Sequence, residues 1–283
     1  MHILTITPIH HQSMFKQEFF TRLPVDLQEE RKAEIQTVEM FELWYNSNGR
    51  RVKGFVVSPR DRDTQYPVVL YARGGSKEYG KITERVLLFV LTRIASWGFV
   101  VLATQYSGND GSEGKDELSG MDLDDVENLK NVAEELEYAD ENNIQAIGMS
   151  RGGLMVANLW RRVSWLKGVI LEVPELDLID NYQRIPKLKE YRSDMYDVNN
   201  DALNRIKSPI YHIDEFHSAT KAMIIQGGKD QQVNPQKSIE FFRTLREAGI
   251  VVDLHFFAEE DHQTQGVHRE IKQLWKEFLL KNR

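Results

Sequence analysis

The sequence predicts an α/β protein with a mostly parallel central sheet, helices on both faces and a small helical cap insertion. Short apolar runs rich in β-branched residues recur along the chain, and such runs are typical of strands buried on both faces. Amphipathic helical segments lie between them, which implies right-handed crossovers between parallel strands. The interval 174–219 breaks this alternation, because it holds no convincing strand and is rich in Tyr, Asp, Asn and Pro.

The first part of the chain differs in character from the rest. Residues 13–36 are polar, charged and loosely helical, so we expect residues 1–36 to form an extension packed on a main domain of residues 37–283. The main domain begins with two strand-like runs, at 37–45 and 51–59, joined by the turn signal Asn-Ser-Asn-Gly. These features predict an antiparallel hairpin at the start of the main domain.

Six buried strands and four helices follow from the same patterns. The predicted strands are 66–72, 99–104, 144–149, 168–173, 222–227 and 251–257. The predicted helices carry four apolar stripes at helical spacing: Leu87, Val90, Leu91 and Ile94; Leu129, Val132, Ala133 and Leu136; Ile239, Phe242 and Leu245; Val267, Ile271, Leu274, Trp275 and Phe278. In a doubly wound sheet, an insertion such as 174–219 lies above the carboxyl ends of the strands, where ligands bind, so we interpret it as the cap.

Composition restricts the classes of function. The net charge of −7 disfavours a broad nucleic-acid-binding surface. The absence of cysteine excludes disulfides, thiolate metal sites and a cysteine nucleophile. We find neither a signal peptide nor an apolar stretch long enough to span a membrane. The expectation is a cytoplasmic enzyme that acts on a small molecule or a short peptide, without metal, cofactor, nucleic acid or membrane. The sequence leaves the oligomeric state open.

The strongest chemical signal is Gly148-Met149-Ser150-Arg151-Gly152, which closes an apolar strand and opens a helical segment. This is the context of a nucleophile elbow, in which a strained turn exposes a serine hydroxyl above the sheet. Glycines on either side let the strand and helix approach closely without a Cβ clash. A chance Gly-x-Ser-x-Gly in a loop is the alternative, and the position between strand and helix argues against it. Ser150 is therefore the candidate nucleophile.

A serine nucleophile needs a base, and the base needs an orienting acid. In α/β-hydrolases the chain order is Ser, then Asp or Glu, then His. Asp230 follows the strand at 222–227, and His262 follows the strand at 251–257, at the same edge of the sheet as Ser150. Three other acidic residues crowd the histidine but are too close in sequence to orient it across the sheet: Glu259, Glu260 and Asp261.

Two backbone groups are candidates for the oxyanion hole. One is the N–H of Arg151, which directly follows the nucleophile, and the other comes from the loop Arg73-Gly74-Gly75-Ser76 after the strand at 66–72. The glycines of this loop allow close approach of the backbone to a substrate carbonyl, so we assign the second donor to Gly74. An ordinary turn is the alternative interpretation of the loop.

Taken together, these segments resemble the catalytic domain of the prolyl oligopeptidase family. The matching segments, in family order, are Y-A-R-G-G-S at 71–76, Q-Y-S-G-N-D-G-S-E-G at 105–114, G-M-S-R-G-G at 148–153, S-P-I-Y at 208–211, G-G-K-D-Q-Q-V at 227–233 and E-D-H at 260–262. The resemblance implies the α/β-hydrolase fold. It also implies Ser150 as nucleophile, Asp230 as acid and His262 as base.

The chain departs from the family pattern at three places. Peptidases of the family usually carry a large N-terminal β-propeller, whereas only residues 1–36 precede the hydrolase core here, so we expect the catalytic domain alone. The family's His-Gly-Gly-Pro-like loop begins with Arg73, and its Asn-Tyr-Arg-Gly-like segment reads Gln105-Tyr106-Ser107-Gly108. These differences leave hydrolysis as the expected reaction, but the family's peptidase specificity does not carry over with it.

The sequence thus predicts a serine hydrolase that cleaves a peptide, amide or ester bond through an acyl-enzyme on Ser150. A carboxylesterase acting on small esters is the first alternative. A non-catalytic binding protein with the α/β-hydrolase fold is the second. The residues expected to contact the substrate are Arg73, Gly75, Tyr106, Tyr182 and Tyr191.

Overall fold

The computed structural model describes residues 1–283 and contains one nine-stranded sheet in the order β1-β2-β3-β5-β4-β6-β7-β8-β9. The strands are β1 Ile3–Pro8, β2 Val38–Ser47, β3 Arg50–Pro59, β4 Tyr66–Ala72, β5 Val100–Thr104, β6 Ala139–Met149, β7 Leu166–Glu172, β8 Lys221–Gly227 and β9 Val252–Phe257. The strands β1, β2 and β3 run antiparallel, and β3 also pairs antiparallel with β5. All other pairings are parallel. The predicted mostly parallel sheet is therefore confirmed.

The helices also follow the predicted alternation. They are α1 Glu18–Thr21, α2 Val25–Gln36, α3 Glu84–Val86, α4 Thr92–Ser96, α5 Leu123–Glu127, α6 Leu129–Glu134, α7 Arg151–Arg162, α8 Leu178–Arg184, α9 Pro186–Tyr191, α10 Asp201–Lys207, α11 Pro235–Glu247 and α12 His268–Lys281. A π-helical turn, Leu87–Leu91, joins α3 to α4, and short 3₁₀ turns occur at His11–Lys16, Pro209–Tyr211, Ile213–Glu215 and Gln265–Val267. None of the helices is long and apolar enough to cross a membrane.

Helices cover both faces of the sheet, and each face has its own apolar core. Side chains of α5, α6, α7 and α11 pack on one face, where Trp160 and Phe241 are fully buried. Side chains of α2, α4 and α12 pack on the other, where Trp275 and Leu88 are buried. The central strands are therefore covered on both faces.

The apolar stripe of α11 differs from the prediction. Phe241 and Leu245 are buried, together with Ser238, whereas Ile239 and Phe242 are only partly buried. The hydroxyl of Ser238 donates to Gln226 Oε1 on β8 (2.7 Å), so the helix face that meets the sheet includes a polar residue. An apolar pattern cannot predict a buried polar residue whose hydrogen bond is made with a side chain of the sheet.

Residues 1–36 contribute a strand that the sequence did not predict. β1 lies at the sheet edge and pairs with β2, but only Ile3 is even partly buried. An edge strand with one half-buried side chain shows no alternating pattern. Met14, Phe20 and Ile35 from the same region are buried in the core under α4 and α12. The division of the chain at residue 36 stays a prediction.

The interval 174–219 contains α8, α9, α10 and two 3₁₀ turns but no strand. It returns over the carboxyl ends of the parallel strands. Residues of α8 and α9 line the same cavity as Ser150, so this helical segment is well placed to act as the predicted cap.

Candidate active site

The turn that carries Ser150 is tight and strained. Ser150 has φ 56° and ψ −118°, between β6 and the first residue of α7. A Cβ on Gly148 would lie 2.0 Å from the carbonyl O of Gly152, and one on Gly152 would lie 1.9 Å from that of Ala72. Only glycine fits at either position. The N–H of Ser150 donates to the carbonyl of Glu172 on β7 (2.8 Å), which fixes the turn to the neighbouring strand.

A hydrogen-bonded chain joins Ser150, His262 and Asp230. His262 Nε2 lies 3.0 Å from Ser150 Oγ, and His262 Nδ1 lies 2.7 Å from Asp230 Oδ2. Asp230 and His262 are 4% and 5% exposed, so water competes little for these bonds. With its proton on Nδ1, the imidazole donates to the carboxylate and can accept the serine proton on Nε2.

The carboxylate of Asp230 is held from the other side as well. Its Oδ1 accepts the N–H groups of Gln232 (2.8 Å) and Val233 (3.0 Å), and its Oδ2 also accepts Gln226 Nε2 (3.2 Å). These three donors engage both oxygens of the carboxylate. They also orient the carboxylate, so the imidazole ring is placed by a rigid partner.

The three nearby acidic residues contact other groups. Glu259 pairs with Lys229 at the surface. Glu260 accepts the N–H of Gly266 (2.9 Å), and Asp261 accepts that of Gln263 (2.8 Å). Asp230 is thus the acidic residue that the fold brings to the His262 imidazole.

The loop after β4 lies against the elbow. A Cβ on Gly74 would lie 3.5 Å from Ser150 Cβ and 3.1 Å from the carbonyl of Met149, so Gly74 packs directly beside the serine. Gly75 has φ 72°, a left-handed conformation that favours glycine. The N–H of Arg151 is the first of α7 and therefore lacks an intrahelical acceptor. Both predicted oxyanion donors border the serine.

Ser150 and His262 open into a cavity of about 400 Å³ between the strand ends and the helices α8 and α9. Its apolar lining includes Tyr71, Met149 and Val233. Its polar lining includes residues that the sequence analysis missed: Glu175, Asn181, Arg192, Gln232 and Gln263. Glu175 just follows β7, and the strand-end rule that indicated Asp230 would have found it. Arg192 gave no such signal.

Comparison with known proteins supplies the family. Residues 87–282, well over half of the chain, match the Prolyl oligopeptidase family. The chain belongs to the prolyl oligopeptidase family. It is therefore a hydrolase of the serine peptidase class.

Two relatives illustrate how this family member compares in length. Over 247 residues it is 28% identical to a Bacillus subtilis protein called uncharacterized peptidase YtmA, a match that covers 80% of this chain and 87% of the relative. Over 241 residues it is 24% identical to dipeptidyl-peptidase 5 of Schizosaccharomyces pombe, covering 78% of this chain and 34% of that protein. The chain thus spans most of the first relative and about a third of the second.

Solved structures agree on the fold of this family member. Acylaminoacyl peptidase of Pyrococcus horikoshii superposes with a TM-score of 0.74 at 19% identity, over 87% of this chain and 42% of that one. Acetyl xylan esterase 1 of a Thermoanaerobacterium species gives 0.64 at 15% identity, over 91% and 94%. The predicted α/β-hydrolase fold is confirmed.

Two of the tyrosines predicted to contact substrate do not line the cavity. Tyr106 is fully buried and donates its hydroxyl to the carbonyl of Arg73 (2.9 Å), beneath the loop. Tyr182 is buried in a small apolar cluster, and its hydroxyl bonds that of Tyr196 (2.7 Å). Both predictions are wrong, because each tyrosine packs inward. Tyr191 lines the cavity at its rim, where its hydroxyl donates to the carbonyl of Ser76 (3.0 Å).

Arg73 holds its own loop. Its guanidinium is buried and donates to the main-chain carbonyls of Gln105, Gly74, Tyr79 and Lys77, at 2.8 to 3.2 Å. Burial, and then the nearby Arg151, lower the pKa of Arg73 to about 10, so it remains charged at neutral pH. Arg73 borders the cavity, but its guanidinium N–H groups donate to these carbonyls. Its role is therefore to stabilise the loop.

The side chain of Arg151 points away from the cavity into a buried acidic pair. It donates to both oxygens of Asp116 (2.8 and 2.6 Å), to Asp122 (2.7 Å) and to the carbonyl of Gly75 (3.2 Å). Burial opposes ionisation of Asp116, but Arg151 outweighs it and lowers the pKa of that carboxyl. One guanidinium therefore ties the elbow to the loop of Gly75.

Replacing Arg151 by methionine should lower the free energy of unfolding by about 3–5 kcal/mol, because two buried carboxylates lose their partner. Urea denaturation measures this loss. The control is Arg22→Met: the Arg22 side chain is 78% exposed and pairs with Glu18 at the surface, where such pairs contribute at most about 1 kcal/mol. Equal losses in the two variants would contradict the structural role of Arg151.

Proposed function

We propose that this chain is a serine hydrolase that cleaves a peptide or amide bond through an acyl-enzyme on Ser150. The observation that carries the proposal is the chain of hydrogen bonds from Ser150 Oγ through His262 to Asp230, at three strand ends and open to one cavity. The family relationship supports the same class of reaction.

In the first half of the reaction, Ser150 Oγ attacks the substrate carbonyl carbon and His262 Nε2 takes the hydroxyl proton. Asp230 accepts the hydrogen bond of Nδ1–H and stabilises the imidazolium. The backbone N–H groups of Arg151 and Gly74 bind the negative oxygen of the tetrahedral intermediate. Such donors each contribute on the order of 100- to 1000-fold in rate. His262 then gives its proton to the departing amine, which leaves an ester on Ser150.

In the second half, a water molecule replaces the amine. His262 takes a proton from this water as its oxygen attacks the acyl carbon, and the same N–H groups hold the oxyanion again. The bond to Ser150 Oγ breaks, and His262 returns the proton to the serine. The carboxylic acid leaves, and the starting state is restored.

Ester hydrolysis is the second candidate, because the same groups cleave esters and the apolar side chains at the rim, Val86 and Leu188, suit an apolar alcohol. A panel of p-nitrophenyl esters and aminoacyl p-nitroanilides separates the two. The proposal predicts turnover of the anilides. Ser150→Ala should lower kcat/KM for the anilides and for the esters to a similar extent. Rapid ester turnover with no anilide cleavage would instead establish a carboxylesterase.

A non-catalytic binding protein is the remaining alternative, and proteins of that kind usually lack one of the three groups. Here all three are present at bonding distance. A folded sample that cleaves neither esters nor anilides would favour binding over catalysis.

A further inference from the structure

A buried charged cluster forms part of the wall of the substrate cavity. Glu175, Asn181 and Arg192 all line the cavity and are 2%, 3% and 5% exposed. Arg192 Nη1 and Nη2 donate to the two oxygens of Glu175 (2.6 and 3.0 Å), and Asn181 Nδ2 donates to Glu175 Oε1 (2.9 Å). We call these three residues the polar cluster.

The polar cluster is tied to the nucleophile. The backbone N–H of Glu175 donates to the backbone carbonyl of Ser150 (3.1 Å), so the Glu175 side chain begins next to the elbow. An acyl group attached to Ser150 Oγ must place its own side chain within about one side-chain length of that atom. The cluster lines the same cavity as Ser150, so it borders the space that is open to the acyl side chain.

The cluster is electrically neutral but not fully bonded. Burial would raise the pKa of Glu175, but Arg192 and the hydrogen bonds from Arg192 and Asn181 hold it below its ordinary value, so both partners are ionised. Arg192 Nε is buried without a hydrogen-bond partner. Buried polar groups normally have partners, and an unpaired donor at a ligand cavity points to an acceptor on the ligand.

We propose that the polar cluster binds the side chain of the acyl residue and selects side chains that end in a neutral hydrogen-bonding group, such as a carboxamide or hydroxyl. This inference rests on the proposed function, since it names the substrate class of that same site. Tyr71, Met149 and Val233 supply apolar contacts for the methylene stem.

The chemistry of the cluster excludes the other classes of side chain. An apolar end leaves the buried donor of Arg192 without an acceptor, whereas a polar end supplies one, and sites built for hydrogen bonding discriminate strongly on this difference. A charged end loses its hydration and meets a pair with no net charge, so it gains no compensating attraction. A neutral polar end satisfies the donor without either penalty.

The test compares kcat/KM for aminoacyl 7-amido-4-methylcoumarins of glutamine, its apolar isostere methionine, glutamate, lysine and proline, each in free-amine and N-blocked form. Glutamine should exceed methionine by about 10- to 100-fold, the value of one or two hydrogen bonds to a charged group. Equal or higher rates for methionine or proline would overturn the inference.

Two variants of the cluster sharpen the result. In Glu175→Leu combined with Arg192→Met, the glutamine-to-methionine ratio should fall to about 1. In Glu175→Gln, the charge of Arg192 is uncompensated, so the glutamate-to-glutamine ratio should rise by about 10-fold or more. Glu175→Gln keeps the size of the side chain, so it still tests the inference if the double variant fails to fold. An unchanged ratio in Glu175→Gln would contradict contact with the acyl side chain.

The matched control removes a buried ion pair elsewhere. Arg31 is fully buried on α2 and pairs with Glu34, and neither residue lines the cavity. Arg31→Met combined with Glu34→Leu should leave the substrate ratios of the wild type unchanged. Labelling of Ser150 by a fluorophosphonate separates the two proposals: without labelling the proposed function fails, and with labelling but no glutamine preference only the subsite fails.

Discussion

Ser150→Ala should lower kcat/KM for an activated ester or anilide by about 10⁴-fold or more, since removing a nucleophile leaves only binding and oxyanion stabilisation. The hydroxyl bonds His262 Nε2 at 3.0 Å, and its oxygen forms the acyl-enzyme in the proposed mechanism. The free energy of unfolding should change by less than about 0.5 kcal/mol, because the hydroxyl carries no packing role. Initial rates with a chromogenic ester, and urea denaturation, measure the two quantities.

Ser164→Ala is the matched control for this experiment. Ser164 is exposed in the turn between α7 and β7, at the amino end of that strand and outside the cavity. Its replacement should change kcat/KM by no more than about threefold, as is usual for an exposed site without a specific contact. A Ser150→Ala enzyme that retains wild-type activity would require another nucleophile and would contradict the proposed mechanism.

Asp230→Asn should reduce kcat by about 10⁴-fold at neutral pH. An amide in place of the carboxylate can donate to His262 Nδ1 and so favours the tautomer with the proton on Nε2. That nitrogen then cannot accept the proton of Ser150. The backbone donors from Gln232 and Val233 still hold the side chain in place, so the geometry and KM should change far less than kcat. Steady-state kinetics over a range of substrate concentration measures both parameters.

Asp261→Asn provides the comparison for Asp230. Asp261 is exposed next to His262 in sequence but bonds only the N–H of Gln263 nearby. Its kcat should stay within a few-fold of the wild type, as is usual for exposed sites. A large loss of kcat in Asp261→Asn with little loss in Asp230→Asn would contradict the assignment of Asp230 as the orienting acid.

The elements on which the chemistry depends could be predicted because local patterns determine them. A buried parallel strand is a short apolar run, and the turn at Ser150 tolerates only glycine at Gly148 and Gly152. Asp230 and His262 could be located because each lies a few residues beyond the carboxyl end of a parallel strand, β8 for Asp230 and the edge strand β9 for His262. The carboxyl ends of parallel strands share one edge of the sheet, so residues distant in sequence meet there.

Most of the cavity wall could not be predicted in the same way. Glu175 lies at a strand end, but Arg192 follows α9, and no spacing rule connects the two. Tyr106 and Tyr182 look like surface aromatics in a polar segment, yet their hydroxyls bond Arg73 and Tyr196 inside the protein. Which side of an irregular segment faces inward depends on packing against the rest of the fold.

Covalent labelling shows directly whether Ser150 is an activated nucleophile. A fluorophosphonate reacts with a serine only where a base removes its proton and an oxyanion hole accepts the phosphoryl oxygen. The labelled protein is digested and the modified residue is located by mass spectrometry. The proposed mechanism predicts a single adduct on Ser150. This adduct should be absent in Ser150→Ala and should form far more slowly in Asp230→Asn. A folded protein with no adduct, or with an adduct on a different serine, would contradict it.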